Sequence, residues 1–252
     1  FDIDENGNLS FNEAPDFEDP RDEGADNLYE VQVSVEDGEE TVTQDFEVTV
    51  NDVNEAPVFD TDAEQSIDEN ETEVVTVEAS DPDGNDLTFS ISGGADEGFF
   101  TIDADGNLSF NEAPDFEDPR DEGADNLYEV QVSVEDGEET VTQDFEVTVN
   151  DVNEAPVFDT DAEQSIDENE TEVVTVEASD PDGNDLTFSI SGGADEGFFT
   201  IDADGNLSFN EAPDFENPLD EGADNLYEVQ VSVNDGEETV TQDFEVTVND
   251  VN

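Results

Sequence analysis

The chain has 252 residues, with 78 acidic side chains against two basic ones and a formal net charge of −76 at pH 7. Such a polyanion is repelled by phosphate backbones, and Arg21 and Arg120 cannot offset the repulsion, so nucleic acid is excluded as a partner. His, Cys, Met, Trp and Lys are all absent, which removes the usual groups for general-base, thiol, Schiff-base and zinc chemistry and points away from an enzyme.

No apolar run approaches the roughly 20 residues of a membrane-spanning helix, so no direct membrane contact is expected. Hydrophobic residues make up 33% of the chain. With this charge, composition alone would suggest disorder. Their arrangement argues for a folded array instead. Phe1 to Asn54 recurs as Phe100 to Asn153 and again as Phe199 to Asn252, a shift of 99 residues each time. The stretches 55–153 and 154–252 differ at three positions only: Asp118 against Asn217, Arg120 against Leu219, and Glu135 against Asn234. A period of 99 suits a complete small domain rather than a solenoid repeat. The expected organisation is a partial repeat over 1–54, then whole repeats over 55–153 and 154–252. The partial copy lacks the counterparts of the first three strands, so residues preceding Phe1 are expected in the parent molecule.

Taken in chain order, the first whole repeat alternates apolar and polar residues with a period of two. Strands are expected near 64–67, then over 73–79, where Val75, Val77 and Ala79 share a face, and over 87–91, with Leu87, Phe89 and Ile91. Asp81-Pro-Asp-Gly-Asn85 and Gly93-Gly94 supply turns between them. Further strands are expected at 99–103 and 107–111 around an Asp105-Gly106-Asn107 turn. The last two, at 127–135 and 140–150, flank Asp136-Gly137. Here Tyr128, Val130, Val132 and Val134 alternate with Glu129, Gln131, Ser133 and Glu135. About seven short strands in 99 residues imply an all-β, immunoglobulin-like Greek-key sandwich.

Most of the acids are expected to be solvated surface. A few clusters stand out by spacing. Asp81 and Asp83 lie two apart in a glycine-containing turn, Asp115 and Glu117 repeat that gap, and Asp151-Val152-Asn153-Glu154-Ala155-Pro156 mixes carboxylates, an amide and free carbonyls. Oxygen-rich sets of this kind suit calcium, which takes six to eight oxygens, better than magnesium, which prefers tight octahedral sites with retained water.

The ordered set Glu69-Asn70, Asp81-Pro-Asp83, Asp115-Phe-Glu117, a Tyr-x-Val-x-Val strand ending in Asp136-Gly137, and Asp151-Val-Asn-Glu-Ala-Pro-Val-Phe158 resembles a cadherin repeat. The resemblance covers both whole repeats and the later part of the first copy. It implies tandem cadherin-like sandwiches in an extended rod, with about three calcium ions at each joint. At the joint between the whole repeats it assigns Glu69, Asp115 and Glu117, then Asp151, the Val152 carbonyl, Asn153, Glu154 and the Ala155 carbonyl, then Asp180, Asp182, the Asn184 carbonyl and Asp235. At the earlier joint it assigns Asp16, Glu18, Asp52, Asn54, Glu55, Asp81, Asp83, Asn85 and Asp136. Two departures from the family pattern are visible. The linker reads Asp-Val-Asn-Glu-Ala where Asp-x-Asn-Asp-Asn is usual, and Asp-Phe-Glu replaces Asp-Arg-Glu.

Other motifs carry less. Asp103-Ala-Asp-Gly-Asn107 lacks the later bidentate Glu of a calcium loop and reads as a hairpin turn. Gly93-Gly94-Ala95-Asp96 is not repeated at nine-residue spacing. Asn70-Glu-Thr and Asn107-Leu-Ser are formal glycosylation sequons that fit turns equally well. Paired carboxylates without Trp give little platform for a sugar, which disfavours glycoside hydrolysis.

Each whole repeat carries about −30, from 31 acids and one Arg in the first. Repulsion between repeats favours extension and opposes self-association. Near-identical, Cys-free, acidic repeats of the cadherin kind look most like extender regions of giant bacterial (RTX-type) surface adhesins. The expected function is a monomeric, calcium-rigidified extracellular spacer on a bacterial surface, whose partners are calcium and flanking copies in cis. The alternative is an adhesive module for calcium-dependent self-association or polysaccharide binding.

Overall fold

The structure, a computed structural model, describes residues 1–251 and divides into two compact units, Phe1–Asn150 and a second beginning at Asp151. Strands dominate. Among the described residues the only helical segments are two single 3₁₀ turns, Glu97–Phe99 and Glu196–Phe198.

In the first unit the whole repeat forms two sheets. The larger runs Glu64–Asp68, Thr140–Asn150, Leu127–Glu135, Thr88–Gly93. Its first pair is parallel and the others antiparallel. The smaller runs Phe100–Ile102, Asn107–Phe110, Glu73–Thr76, all antiparallel. Period-two patterning explains the core. Val130, Val132, Phe145, Val147 and Val149 from the large sheet meet Phe100, Leu108 and Phe110 from the small one, all buried. Tyr128 stands edge-on to Phe110 at a centroid distance of 5.0 Å. The second unit repeats the arrangement: Glu163–Asp167, Thr239–Asn249, Leu226–Asn234 and Thr187–Gly192 against Glu172–Thr175, Asn206–Phe209 and Phe199–Ile201. All-β, tandem, immunoglobulin-like sandwiches are thus the fold, as the alternation predicts.

Several strand bounds differ from the expectation: the strand read as 87–91 spans Thr88–Gly93, which leaves Leu87 outside it, and those read as 64–67 and 107–111 span Glu64–Asp68 and Asn107–Phe110. The strand read as 73–79 ends at Thr76, because the Val77 N–H turns to the Gly106 carbonyl at 2.8 Å. The chain then pairs again at Ala79–Ser80 with Val58–Phe59, a two-residue strand too short to show periodicity. The strand read as 99–103 spans Phe100–Ile102, beginning after the 3₁₀ turn.

The first, partial copy forms the hairpins Asp2–Ile3 with Leu9–Ser10 and Leu28–Glu36 with Thr41–Thr49. Its Phe46 is 40% exposed and Val35 69%, whereas the equivalent Phe145 and Val134 are fully buried. In a whole copy Phe59 stands edge-on to Phe145 at a centroid distance of 6.1 Å, and Phe89 of the Thr88–Gly93 strand lies opposite Val134.

A long excursion, residues 111–126, joins the two sheets and carries Asp115 and Glu117. Four devices hold it. The Arg120 N–H donates to the buried Tyr128 hydroxyl at 3.1 Å. The buried Asp96 carboxylate accepts from Glu122 N and Glu129 N, both at 2.9 Å. Asp121 accepts from Asp125 N and Asn126 N at 3.1 Å each. The Asn126 side-chain amide donates to the Phe116 carbonyl at 2.9 Å.

Candidate metal centre

Within the first unit, three segments converge. Glu18, Asp52 and Asp83 each place a carboxylate oxygen so that all three lie within 4.8 Å of one another. Glu18 comes from the excursion of the partial copy, Asp52 from the strand exit after Thr49, and Asp83 from the Asp81-Pro-Asp-Gly-Asn turn. That turn is locally specified. Gly84 takes φ +76°, where L side chains are strained, its N–H donates to the Asp81 carbonyl at 3.1 Å, and Asn85 N–H donates to Asp81 Oδ1 at 3.0 Å.

Linker and turn are stitched together around these carboxylates. Glu55 N–H donates to Asp83 Oδ2 at 2.8 Å. Asn54 Nδ2 donates to Asp136 Oδ2 at 3.0 Å, and Asn85 Nδ2 donates to Asn54 Oδ1 at 3.0 Å. Asp16 Oδ1 accepts from Glu18 N and Asp19 N, both at 3.1 Å. All nine residues assigned to the earlier joint, Asp16, Glu18, Asp52, Asn54, Glu55, Asp81, Asp83, Asn85 and Asp136, are therefore joined by contacts or charge coupling in one place.

The electrostatics show how crowded that place is. Partial loss of hydration, then the charges of Glu55, Asp83 and Asp52, raise the Glu18 pKa above the ordinary carboxylate value. Loss of hydration, then Asp83, Asp16 and Asp52, do the same to Glu55. Asp136 is lowered instead, because the Glu139 N–H, the Asn54 amide and the Glu138 N–H hydrogen-bond its charged form. Asp81 Oδ2 and Asp83 Oδ1 are shut off from solvent and have no hydrogen-bond partner. A buried anionic oxygen without a donor is costly, and a cation held between these carboxylates would offset that cost. The donors are carboxylate, amide and carbonyl oxygens without nitrogen or sulfur, a set that fits a hard cation such as calcium.

The first unit also carries Glu69, Asp115 and Glu117. Glu69 is buried, and its Oε2 accepts from the Phe116 N–H at 2.8 Å, which ties it to the Asp115-Phe-Glu117 turn. In the second unit the stitching recurs. Asn153 Nδ2 donates to Asp235 Oδ2 at 3.1 Å, Glu154 N–H to Asp182 Oδ2 at 2.8 Å, Asn184 Nδ2 to Asn153 Oδ1 at 3.1 Å, and Asn184 N–H to Asp180 Oδ1 at 3.0 Å. Asp180 Oδ2 and Asp182 Oδ1 are again buried without a partner. Asp151 and Val152 are exposed and Ala155 half-buried on the segment that leads into this unit.

One cluster escapes the sequence reading. Glu168, Asp214 and Glu216 converge within 4.8 Å, and the charge of Glu168 foremost raises the Glu216 pKa. Adding 99 to Glu69, Asp115 and Glu117 finds it. The sequon residue Asn107 is engaged on both sides, by the Thr76 hydroxyl and by Asp103 Oδ2, and the Asp103 turn closes a hairpin as expected.

A family model described as bacterial Ig domain matches residues 54–150 and again 153–249. The chain belongs to the bacterial Ig domain family. Members of this kind are structural or adhesion-related modules. No curated protein matches the chain. Among solved structures, human protocadherin-24 EC1-2 (form II) is similar at 24% identity over 79% of this chain and 100% of that one, with a TM-score of 0.52. The protocadherin gammaB7 EC3-6 cis-dimer is similar at 20% identity over 88% of this chain and 60% of that one, with a TM-score of 0.53. These likenesses extend to the fold: the bacterial Ig domains here are cadherin-like sandwiches. No helix among the described residues is long and apolar enough to cross a membrane.

Proposed function

We propose that this chain is a calcium-rigidified spacer from the extender region of an RTX-type bacterial cell-surface adhesin, holding a distal binding domain away from the cell. The observation that carries the reading is the convergence of Glu18, Asp52 and Asp83 beside two buried, unpartnered oxygens, Asp81 Oδ2 and Asp83 Oδ1.

In this reading Asp16 and Glu18 end one repeat, Asp52, Asn54 and Glu55 link, and Asp81, Asp83, Asn85 and Asp136 begin the next. By the 99-residue period the same roles fall to Asp115 and Glu117, to Asp151, Asn153 and Glu154 with the Val152 and Ala155 carbonyls, and to Asp180, Asp182, Asn184 and Asp235. Glu69 joins them from the residue that follows the Glu64–Asp68 strand. Repeat boundaries at 54/55 and 153/154 follow. Bound calcium supplies the positive charge that cancels carboxylate repulsion at a joint, about three ions for each. The chain's own groups do the rest. Asn54 and Asn85 hold the linker to the following turn, and the Glu55 N–H fixes Asp83 in place. Without cation the like charges push the segments apart, so a joint is loose in chelator and stiff in calcium.

Near-identity of the copies suits a part whose value lies in length. Charge of about −30 per repeat keeps like copies from associating and leaves the spacer monomeric. The deciding test is small-angle X-ray scattering of several whole repeats at fixed ionic strength, in calcium and then in chelator. The expected result is a maximum dimension of about 40 Å per repeat in calcium, from strands of about nine residues plus end loops, and a flexible ensemble in chelator. Identical profiles would make the carboxylates ordinary surface charge and move the adhesive-module reading to first place.

A further inference from the structure

Three asparagines one period apart, Asn27, Asn126 and Asn225, share an environment that ligand motifs do not account for. Each is buried and each sits at positive φ, +63°, +63° and +66°. Each donates its side-chain amide to the carbonyl of the Phe inside an Asp-Phe-Glu turn: Phe17 at 2.8 Å, Phe116 at 2.9 Å and Phe215 at 3.0 Å. Each accepts at its own carbonyl from a strand-exit N–H: Val50 at 3.0 Å, Val149 at 2.9 Å and Val248 at 2.9 Å. Their N–H groups are in turn held at 3.1 Å by Asp22, Asp121 and Asp220.

The consequence lies in what those two partners carry. Phe17 is flanked by Asp16 and Glu18, and Val50 precedes Asp52 by two residues. A single buried residue thus ties the excursion that bears Glu18 to the strand exit that bears Asp52, two of the three carboxylates that converge there. The same holds in the second unit, where Asn225 joins Phe215, between Asp214 and Glu216, to Val248, two residues before Asp250. Glu168, Asp214 and Glu216 bring carboxylate oxygens within 4.8 Å of one another there.

We infer that Asn27, Asn126 and Asn225 are positioning residues for cation binding: each fixes two ligand-bearing segments in register without touching the ion. The inference rests on the calcium reading above. Groups that orient metal ligands typically contribute about 10- to 100-fold in metal affinity.

The test uses the full chain with Asn27, Asn126 and Asn225 all changed to Gly, which tolerates the positive φ and removes the side chain that carries the donor. A comparison chain carries Tyr29, Tyr128 and Tyr227 changed to Phe, which releases the same excursion at its other limb, where Tyr hydroxyls accept from Arg21, Arg120 and Leu219 N–H. Calcium chloride is titrated calorimetrically into each, with circular dichroism in chelator as the folding check. The expected result is calcium affinity at least about tenfold weaker in the Gly chain with the number of sites unchanged, and within about twofold of wild type in the Phe chain. Equal affinity in the Gly and wild-type chains, or equal loss in the Gly and Phe chains, overturns the inference and leaves the spacer reading intact. A wild-type chain that binds no calcium overturns both. If the Gly chain does not fold in chelator, Asn→Asp at the three positions keeps the volume and main-chain bonds while removing the donor to Phe. If that chain also fails to fold, the asparagines are folding residues and the assignment is overturned.

Discussion

Asp83 holds the Glu55 N–H through Oδ2 at 2.8 Å and turns Oδ1 into a buried position with no donor. The two oxygens of one carboxylate thus differ in environment: one fixes the linker, and the other is the one the calcium proposal would assign to the cation. Asp83→Asn separates them, because the amide keeps an acceptor for Glu55 and loses the charge. Calcium affinity at this joint is expected to fall at least about tenfold, since the site's charge count sets its affinity. In chelator the joint is expected to be no less stable than wild type, because Glu18, Glu55 and Asp52 lose a repelling neighbour. Calcium calorimetry and thermal unfolding in chelator report the two effects.

Gly94 and Gly84 make a matched pair of backbone tests. Both have positive φ, but a Cβ at Gly94 would lie 2.5 Å from the Glu129 carbonyl oxygen and 2.6 Å from Val130 Cα, whereas nothing lies within 4 Å at Gly84. Gly84→Ala is expected to cost about 1 kcal/mol from backbone strain alone. Gly94→Ala is expected to cost more than about 2 kcal/mol, since the strands from Thr88 and Leu127 must part to admit the methyl group. Urea unfolding of the two variants in parallel measures the difference.

Phe145 and Phe46 occupy equivalent positions with opposite exposure, 0% and 40%. Phe145→Ala empties a close-packed site between the sheets and is expected to cost about 3–5 kcal/mol. Phe46→Ala is expected to cost less than about 1 kcal/mol, because much of that ring is already in water. Chemical denaturation of each variant, followed by circular dichroism, tests whether the partial copy has a core of its own.

The legibility of this fold follows from the same positions. Tyr128 through Val134 and Phe145 through Val149 alternate over enough residues that period two is unmistakable, and the large sheet follows from it. Val58–Phe59 is two residues long and its partner, Ala79–Ser80, is separated from it by two whole strands, so no local pattern marks the pair. The Asp81 and Asp83 turn is visible from its Pro-x-Gly spacing. Glu168, Asp214 and Glu216 lie outside the motif-based assignment because that assignment pairs each acidic set with a succeeding copy. The devices that hold the ligand excursion were not legible. Asp96 caps Glu122 and Glu129, 26 and 33 residues away, and Asn126 reaches Phe116 ten residues back, distances at which only the folded chain makes partners of them.

Arg120 pairs with Glu112 at 3.4 Å on the surface, with both side chains more than half exposed, and Leu219 takes its place in the other whole repeat. Arg120→Leu is therefore expected to change stability by less than about 0.5 kcal/mol, the range of exposed ion pairs and surface substitutions. Thermal unfolding at two salt concentrations checks this, and a large salt-dependent loss would show that the pair anchors the excursion.

Asp121 gives the fold its own acid sensitivity, apart from any cation. Burial pushes its carboxyl up, but hydrogen bonds from the Asp125 and Asn126 N–H groups to the charged form outweigh it and leave the pKa below the ordinary value. A carboxyl whose folded pKa is depressed contributes stability above its unfolded pKa, near 4, and loses that contribution as pH falls through the folded value. Asp121→Asn removes the charged acceptor and presents an NH₂ to a backbone donor, so at neutral pH it is expected to destabilise the repeat by about 1–3 kcal/mol. The gap between wild type and variant should narrow as pH drops below about 4 and close once the wild-type carboxyl is protonated. Parallel urea titrations from pH 7 to pH 2.5 in chelator measure that gap. A gap that stayed constant across the range would place the loss in packing around Asn126 rather than in the charge of Asp121.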